Sequence, residues 1–194
     1  MSQILIHPDW RPENLASFDA DVAVVVLGGE VKFTAYIQPV CLPPQSDAYV
    51  TGSGMVAGWG QSNSSTAFEG THEETPIEIE LPAVRASECY PRFPQLGYAS
   101  SKRMFCAGYD SQARGTCLGD SGAGFYALES PLMIFQVKGI VSAAQYDCQN
   151  SCDVNKYSLY TNVGWFSEWI EDKIKETKEV GWIEVKLKCK ESWS

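Results

Sequence analysis

The chain has 194 residues, of which 44% are hydrophobic and 20% charged, and these are the proportions of one folded globular domain. Its formal charge of −9 argues against a nucleic-acid partner, because nucleic-acid binding requires a basic face. The sequence contains no apolar run near the roughly 20 residues that cross a bilayer, so no membrane partner is expected.

Cysteine content and the N-terminal sequence give opposite indications of the cellular compartment. Seven cysteines are typical of a chain that folds where disulfides form. The first residues, from Met1 to His7, lack the basic start and the long apolar core of a signal peptide. A secreted protein whose N-terminal part is missing from this sequence reconciles the two observations, and an odd cysteine count is consistent with it. We therefore expect an extracellular protein.

The first fifty residues predict few regular elements. Ile4 and Ile6 alternate with polar neighbours as in a short strand, and a polar loop with a proline then continues to Ala20. Residues 22–27 form a nearly continuous β-branched run, which is typical of a buried strand. Asp21 opens this run, so its carboxylate is expected at the boundary of the core. Residues 31–37 predict a weaker strand or a connection.

The rest of the chain predicts several short strands separated by turn signals, a pattern that favours an all-β barrel. Strand-like segments occur at residues 55–59, 77–81, 104–107, 133–141 and 157–163. The polar stretch between the first two is expected to be a surface loop, and it contains Asn63-Ser64-Ser65, an acceptor sequon for glycosylation. Residues 165–174 follow a helical period with charged residues on the opposite face.

Ser121 is the strongest candidate for a functional residue. It follows Asp120 directly, and glycines at positions 119, 122 and 124 surround it. Glycine permits left-handed or close-approach backbone conformations, so such a turn can point two N–H groups at one spot beside the hydroxyl. That arrangement stabilises an oxyanion next to a nucleophile. The motif alone fits a surface turn equally well.

The chain as a whole resembles the chymotrypsin-like, trypsin-fold serine proteases. The serine motif of that family ends in Gly-Gly-Pro, where this chain has Gly122-Ala123-Gly124. Six further motifs carry the resemblance in the same chain order: Asp19-Ala20-Asp21-Val22-Ala23, Cys41-Leu42-Pro43, Gly58-Trp59-Gly60, Met104-Phe105-Cys106-Ala107-Gly108, Gly139-Ile140-Val141-Ser142 and Tyr160-Thr161-Asn162-Val163. They fall between residue 3 and about residue 175.

The resemblance implies an all-β fold, a chymotrypsin-like double β-barrel with the first barrel incomplete and with a C-terminal α-helix. It implies a partial protease domain over residues 1–176, made of a remnant of the N-terminal barrel at 1–50 and a C-terminal barrel and helix at 51–176. Residues 177–194 would then be a C-terminal extension, an alternating strand-like tail of unknown use.

The resemblance also assigns catalytic roles. Ser121 would be the nucleophile, Asp21 the carboxylate that orients the general base, and the N–H groups of Gly119 and Ser121 the oxyanion donors. In this family the base is a histidine about 45 residues before the aspartate. Only 20 residues precede Asp21, and we interpret His7 and His72 as exposed loop histidines. The base is therefore expected to be absent from this chain.

A second consequence concerns the residue before the serine. In the family, cleavage releases an amino terminus that pairs with this aspartate and shapes the oxyanion turn. Since this chain has no such terminus, we expect Asp120 to be buried without a partner, which is costly. We also expect open sheet edges in the incomplete first barrel. The polypeptide expressed alone is therefore predicted to be inactive and to fold poorly.

The resemblance further implies a substrate pocket with Gly115 at its base and with Ala144 and Ser158 on its walls. Because no carboxylate lies at the base, an uncharged substrate side chain is expected rather than Arg or Lys. Ser142 would bond both the substrate backbone and Asp21, and Ala143 replaces an aromatic residue that usually forms one wall of the cleft.

Disulfide pairing is implied only in part. Cys89 should pair with Cys106, and Cys117 with Cys152 or Cys148, between which spacing does not decide. Cys41 would bond to a regulatory N-terminal segment outside the domain, and Cys189 has no assigned role. No cofactor is expected, and no pair of cysteines has zinc-ligand spacing beside a second pair.

Three interpretations remain open at the sequence level. The first is a domain of a secreted serine endopeptidase that cleaves protein or peptide substrates through an acyl-enzyme. The second is a non-catalytic homologue that acts as a binding or cofactor module in a secreted proteolytic cascade. The third is an incomplete gene product. Asp21 and Ser121 favour the first, because a dead homologue has no chemical need for both.

Overall fold

The computed structural model describes residues 2–13, 17–45, 49–61, 74–129, 133–146 and 152–177. In this part of the chain the β-strands form a two-stranded sheet and a closed barrel. Their bounds are β1 (Gln3–Ile6), β2 (Ala23–Val26), β3 (Ser53–Gly58), β4 (Ile77–Val84), β5 (Met104–Ala107), β6 (Gly124–Glu129), β7 (Ile134–Ala143) and β8 (Ser158–Asn162).

The barrel is a continuous antiparallel ring with the strand order β3-β4-β5-β8-β7-β6. It closes where β3 pairs with β6 through Met55–Tyr126 and Val56–Phe125. Closure removes the sheet edges that an open sheet would expose. The all-β fold with a closed barrel in the C-terminal part of the chain, predicted from the sequence, is confirmed.

Aromatic rings fill the centre of the barrel. Phe105, Phe125 and Tyr160 are buried, and their ring centroids lie 5.3–5.5 Å apart. Phe105 and Tyr160 are stacked, whereas Phe125 meets both rings edge-on. Aromatic pairs at these separations stabilise a core beyond the area that they bury.

Two short helices connect β4 to β5, and the sequence analysis did not predict them. They are α1 (Ala86–Arg92) and α2 (Pro94–Ala99), and the disulfide between Cys89 and Cys106 ties α1 to β5. Pro91 inside α1 and Gly97 inside α2 disfavour a helix, and packing of Cys89 and Leu96 in a second buried cluster stabilises the two segments instead.

The chain after β8 forms a 3-10 helix (Val163–Phe166) and then α3 (Ser167–Glu176), which confirms the predicted C-terminal helix. Ser167 Oγ donates to the Pro43 carbonyl at 2.6 Å, so the helix start is attached to the linker before the barrel. None of the helices in the described ranges is long and apolar enough to cross a membrane.

The two-stranded sheet differs from the expectation of a buried strand over residues 22–27. Val22 is buried, but apolar side chains of both strands are exposed, with Ile6 at 60% and Val25 at 51%. The apolar run predicted burial, and the described part of the chain places no second layer over these side chains. Residues 31–37 form an irregular connection with a turn at Thr34, which is the second of the two alternatives that the sequence left open.

Candidate active site

Ser121 lies in a tight turn immediately before β6. The Gly122 N–H donates to the Val141 carbonyl and the Val141 N–H to the Ala123 carbonyl, both at 2.9 Å, so the turn is fixed to β7. Gly119 and Gly122 have φ values of 95° and 85°, a left-handed region that side chains other than glycine rarely adopt. The glycine-rich sequence therefore exposes the Ser121 side chain on a fixed backbone.

Asp120 anchors the same turn from the opposite side. Its Oδ1 accepts the N–H of Gly60 and its Oδ2 the N–H of Cys117, each at 2.9 Å. The carboxylate is half-buried and doubly hydrogen-bonded, so the expectation of a buried carboxylate without a partner is wrong. The reason is that Gly58 and Gly60 have no side chains and let the carboxylate approach their backbone.

The side chain of Asp21 is hydrogen-bonded to β7. The Ser142 hydroxyl donates to Asp21 Oδ2 at 2.7 Å, which is the bond that the resemblance implied. Thr161 on β8 donates its hydroxyl to the Asp21 carbonyl at 2.9 Å. Two barrel strands therefore hold the backbone and the carboxylate of Asp21, and both bonds reach across more than a hundred residues of sequence.

A cavity of about 440 Å³ lies next to the Ser121 turn and β7. Ser121 and Ser142 line it together, so Ser142 contacts the cavity and Asp21 at once. Ala143 and Ala144 continue the lining along the end of β7, and most of the remaining wall is apolar: Phe18, Leu96, Ala99, Leu118, Val141 and Leu159. The cavity therefore offers a largely apolar surface beside Ser121.

The residues that the resemblance placed in the pocket divide into two groups. Ser142 and Ala144 line the cavity, whereas Gly115 and Ser158 are not among the residues that line it. Ser158 is buried in β8, and Gly115 lies against Val154, whose carbonyl oxygen is 3.2 Å from the point that a Cβ would occupy. Their role as the base and wall of a pocket stays a prediction.

His7 does not lie in this cavity. Its ring packs edge-on against Phe166 and Trp169, with centroids 5.0 Å and 4.8 Å away, and its side chain is 10% exposed. The interpretation of His7 as an exposed loop histidine is therefore wrong, because the C-terminal helical segment covers it. His72 lies outside the described residues.

This packing predicts a pH dependence of stability. Burial lowers the pKa of His7 from its ordinary value of 6.5, so the folded chain prefers the neutral ring. The stabilisation is complete above pH 6.5 and is lost as the pH falls towards the lowered pKa. We expect the thermal midpoint to fall between pH 7.5 and pH 5.5, and His7→Gln to flatten this dependence. Differential scanning fluorimetry at both pH values measures it.

The Asp residues near His7 do not confound this test. Hydrogen bonds from Arg103 lower the pKa of Asp9 and of Asp19 below 3.8, so their contribution is lost only at more acidic pH. His72→Gln serves as the control for the second histidine. An equal fall in the midpoint for wild-type protein and His7→Gln would contradict the prediction.

The structure tests the predicted disulfide pairings and the predicted role of Cys41. Cys89–Cys106 and Cys117–Cys152 are both present, with Cα–Cα distances of 6.5 Å and 5.5 Å, while Cys148 and Cys189 lie outside the described residues. Cys41 is itself disulfide-bonded, so in this structure it has no free thiol for a regulatory segment. Among the described residues, no group of three or more His, Cys, Asp or Glu could hold a metal ion.

Sequence reasoning missed one polar group at the cavity. Gln145 is buried, its Nε2 donates to the Tyr157 carbonyl at 2.9 Å, and its Oε1 accepts a bond from Gln95 on α2. No local pattern indicates this residue, since its partners come from α2 and from Tyr157 just before β8, which lie far apart in sequence.

Ser121 on a glycine turn, Asp21 bonded to Ser142, and a closed antiparallel barrel together define a trypsin-like serine protease domain. The comparison with known families agrees, because the trypsin family model matches residues 1–170, and the chain belongs to that family.

Three relatives show the similarity in detail. The chain is 33% identical to serine protease gd of Drosophila melanogaster, over 86% of this chain and 36% of the relative. It is 29% identical to phenoloxidase-activating factor 1 of Holotrichia diomphalia, over 90% and 45% of the respective chains. With human mannan-binding lectin serine protease 1 the identity is 30%, over 86% and 22%. The chain thus spans less than half the length of these relatives.

Proposed function

We propose that the chain is a serine endopeptidase domain that supplies the nucleophile and the orienting carboxylate, but not the general base. Ser121 is the nucleophile, Asp21 the carboxylate, and the N–H groups of Gly119 and Ser121 bind the oxyanion. The observation that carries the proposal is the Ser142–Asp21 bond of 2.7 Å at the wall of the cavity that also contains Ser121. This bond supports the proposal because Ser142 contacts the Asp21 carboxylate and lines the same cavity as Ser121.

The missing group decides the activity of the isolated chain. When Ser121 Oγ attacks a peptide carbonyl, its proton must pass to a base, and that base later protonates the leaving amine. In the described part of the chain the only histidine is His7, which packs against Phe166 and Trp169. We therefore infer that the described residues supply no general base for Ser121.

The cavity supports a preference for uncharged substrate side chains. Its wall is mostly apolar, and none of the described residues that line it is charged, so it offers no carboxylate to pair with Arg or Lys. A protein or peptide is the proposed substrate, and two relatives are named as a phenoloxidase-activating factor and a mannan-binding lectin protease. Disulfides persist outside the cytosol, so an extracellular location is proposed as well.

A non-catalytic binding module is the second candidate. The position of His7, away from the cavity that Ser121 lines, favours it. The two candidates differ in one property, the reactivity of Ser121 once a base is available. A competent nucleophile with an intact oxyanion turn reacts when a base is supplied from solution, whereas a merely structural serine does not.

A fluorophosphonate probe with added imidazole makes this distinction. Reaction forms a bond between Ser121 Oγ and phosphorus, breaks the P–F bond to release fluoride, and passes the hydroxyl proton to imidazole. We expect imidazole to raise the labelling rate by roughly a hundredfold, the ordinary contribution of a general base. Mass spectrometry of the labelled peptide measures the rate at each imidazole concentration.

Ser121→Ala is the matched control and should abolish labelling with and without imidazole. Asp21→Asn should lower the imidazole-dependent rate, because the acceptor that orients the base is changed. Labelling of Ser121→Ala at the wild-type rate would refute the nucleophile assignment. An absence of labelling in saturating imidazole would favour the binding module, and full labelling without imidazole would show that the chain contains its own base.

A further inference from the structure

Arg103, directly before β5, binds the loop that precedes Asp21. Its Nε donates to Asp19 Oδ1 at 3.0 Å and its Nη2 to Asp19 Oδ2 at 2.6 Å. The guanidinium therefore binds the carboxylate in a bidentate manner, with two parallel bonds. Its Nη1 donates to Asp9 Oδ2 at 2.8 Å. Bidentate arginine–carboxylate pairs fix orientation as well as distance.

Arg103 is the better shielded partner of this pair, since the Asp19 side chain is 34% exposed. The side chain of Arg103 is 18% exposed, and its guanidinium lies over the ring of Phe166 at 5.0 Å. The hydroxyl of Ser101 donates to Asp19 Oδ1 at 2.5 Å and closes the carboxylate from another side. Hydrogen bonds from Arg103 hold the pKa of Asp19 below its usual range, so the carboxylate stays ionised to more acidic pH than an ordinary aspartate.

Ala20, the residue between Asp19 and Asp21, has an unusual backbone conformation. Its φ is 57°, in the left-handed region that an alanine adopts only at an energetic cost. Its side chain is fully buried in the cluster that contains Val22 and Phe166. Strained residues of this kind persist only where the surrounding contacts hold them. Arg103 provides such a contact one residue away, through Asp19.

The conformation of Ala20 determines where Asp21 points. The Val22 N–H donates to the Ala20 carbonyl at 2.8 Å and closes the turn around Asp21. The Asp21 carboxylate then meets the Ser142 hydroxyl at 2.7 Å. A change of φ at Ala20 would rotate the following peptide and carry the carboxylate away from Ser142.

From these contacts we propose that Arg103 is a positioning residue for Asp21. By holding the conformation of the Asp19–Asp21 turn, Arg103 keeps the Asp21 carboxylate directed towards Ser142. This inference rests on the proposed function, in which Asp21 orients the base. Arg103 acts through Asp19 and the left-handed Ala20, and it touches neither the cavity nor Ser121. Its removal therefore changes the reaction rate rather than the binding of a substrate.

The first test measures the local stability of the turn and does not depend on any reaction of Ser121. Hydrogen exchange of the Val22 amide reports whether its bond to the Ala20 carbonyl is formed. We expect Arg103→Gln to accelerate this exchange roughly tenfold under native conditions, because the turn opens locally. Arg92→Gln is the matched control, since Arg92 forms an ion pair with Asp110 and is itself exposed. It should leave the exchange of Val22 unchanged.

The second test separates rate from binding. In the fluorophosphonate reaction with imidazole, Arg103→Gln should lower the maximal labelling rate about tenfold, as expected when a catalytic group is misplaced. The probe concentration at half-maximal rate should not change, whereas a loss of folded protein would reduce the amplitude of labelling. Arg92→Gln should alter neither quantity.

Arg103→Lys provides a variant that keeps the positive charge but cannot form the two parallel bonds to Asp19. If Arg103→Gln does not fold, the same two measurements on Arg103→Lys decide. Unchanged Val22 exchange and an unchanged maximal rate in the folded variants would overturn the proposal. If the wild-type chain is not labelled even with imidazole, the proposed function fails, and the exchange measurement still shows whether Arg103 locks the turn.

Discussion

Alanine in place of Gly60 is expected to release the turn that carries Ser121. A Cβ at this position would lie 2.4 Å from Asp120 Cγ and Oδ2, so the carboxylate would have to leave its place. It would then lose the N–H bonds from Gly60 and Cys117. Bonds to a charged group contribute about 1.5–3 kcal/mol each when buried, and for a half-exposed carboxylate we expect roughly 2 kcal/mol in total.

The effect on Ser121 should exceed the effect on stability. Loss of 2 kcal/mol lowers the thermal midpoint of a chain of this size by about 4–8 °C. The oxyanion donors, however, depend on the same turn, and loss of one such donor costs about a hundredfold or more in rate. Fluorophosphonate labelling with imidazole and a thermal melt of the same sample measure the two effects.

Gly29→Ala is the matched control, because no atom lies within 4 Å of the Cβ that it would add. It should leave both the melt and the labelling rate within error of the wild-type values. If Gly60→Ala is labelled at the wild-type rate, the carboxylate of Asp120 does not hold the Ser121 turn. If Gly29→Ala loses as much as Gly60→Ala, the effect belongs to any added methyl group and not to this contact.

The sequence predicted those parts of the site that depend on local chemistry. Glycines around Ser121 indicate a strained turn from residue type alone, and the structure gives Gly119 and Gly122 positive φ values. The Asp21–Ser142 bond followed from the resemblance, since the two residues are 121 positions apart. Local pattern and family motif together were sufficient for the arrangement of this half of the site.

The failed expectations all concern contacts that form only in the tertiary structure. The burial of His7 depends on Phe166 and Trp169, far away in sequence. The pairing of Asp120 depends on two glycines that the sequence presents only as part of a Gly-Trp-Gly motif. No local sequence pattern indicates the bidentate bond between Arg103 and Asp19. An arginine before a strand is ordinary, and Asp19 lies 84 positions earlier.

The largest loss of stability is expected from Phe125→Ala in the barrel core. Phe125 is fully buried, and its ring lies 5.4 Å from that of Phe105 and 5.5 Å from that of Tyr160. Truncation removes both edge-on contacts and leaves a cavity where three rings meet. Such changes cost about 3–5 kcal/mol, which is a large part of the 5–15 kcal/mol that an ordinary domain has.

A urea titration followed by tryptophan fluorescence measures this loss as a shift of the unfolding midpoint. Leu128→Ala on the same strand is the control, because Leu128 is 44% exposed and outside the aromatic cluster, and it should cost less than about 1 kcal/mol. Phe125 also pairs with Val56 at the point where β3 and β6 close the barrel. Equal midpoints for the two variants would therefore show that the aromatic cluster does not stabilise the closed barrel.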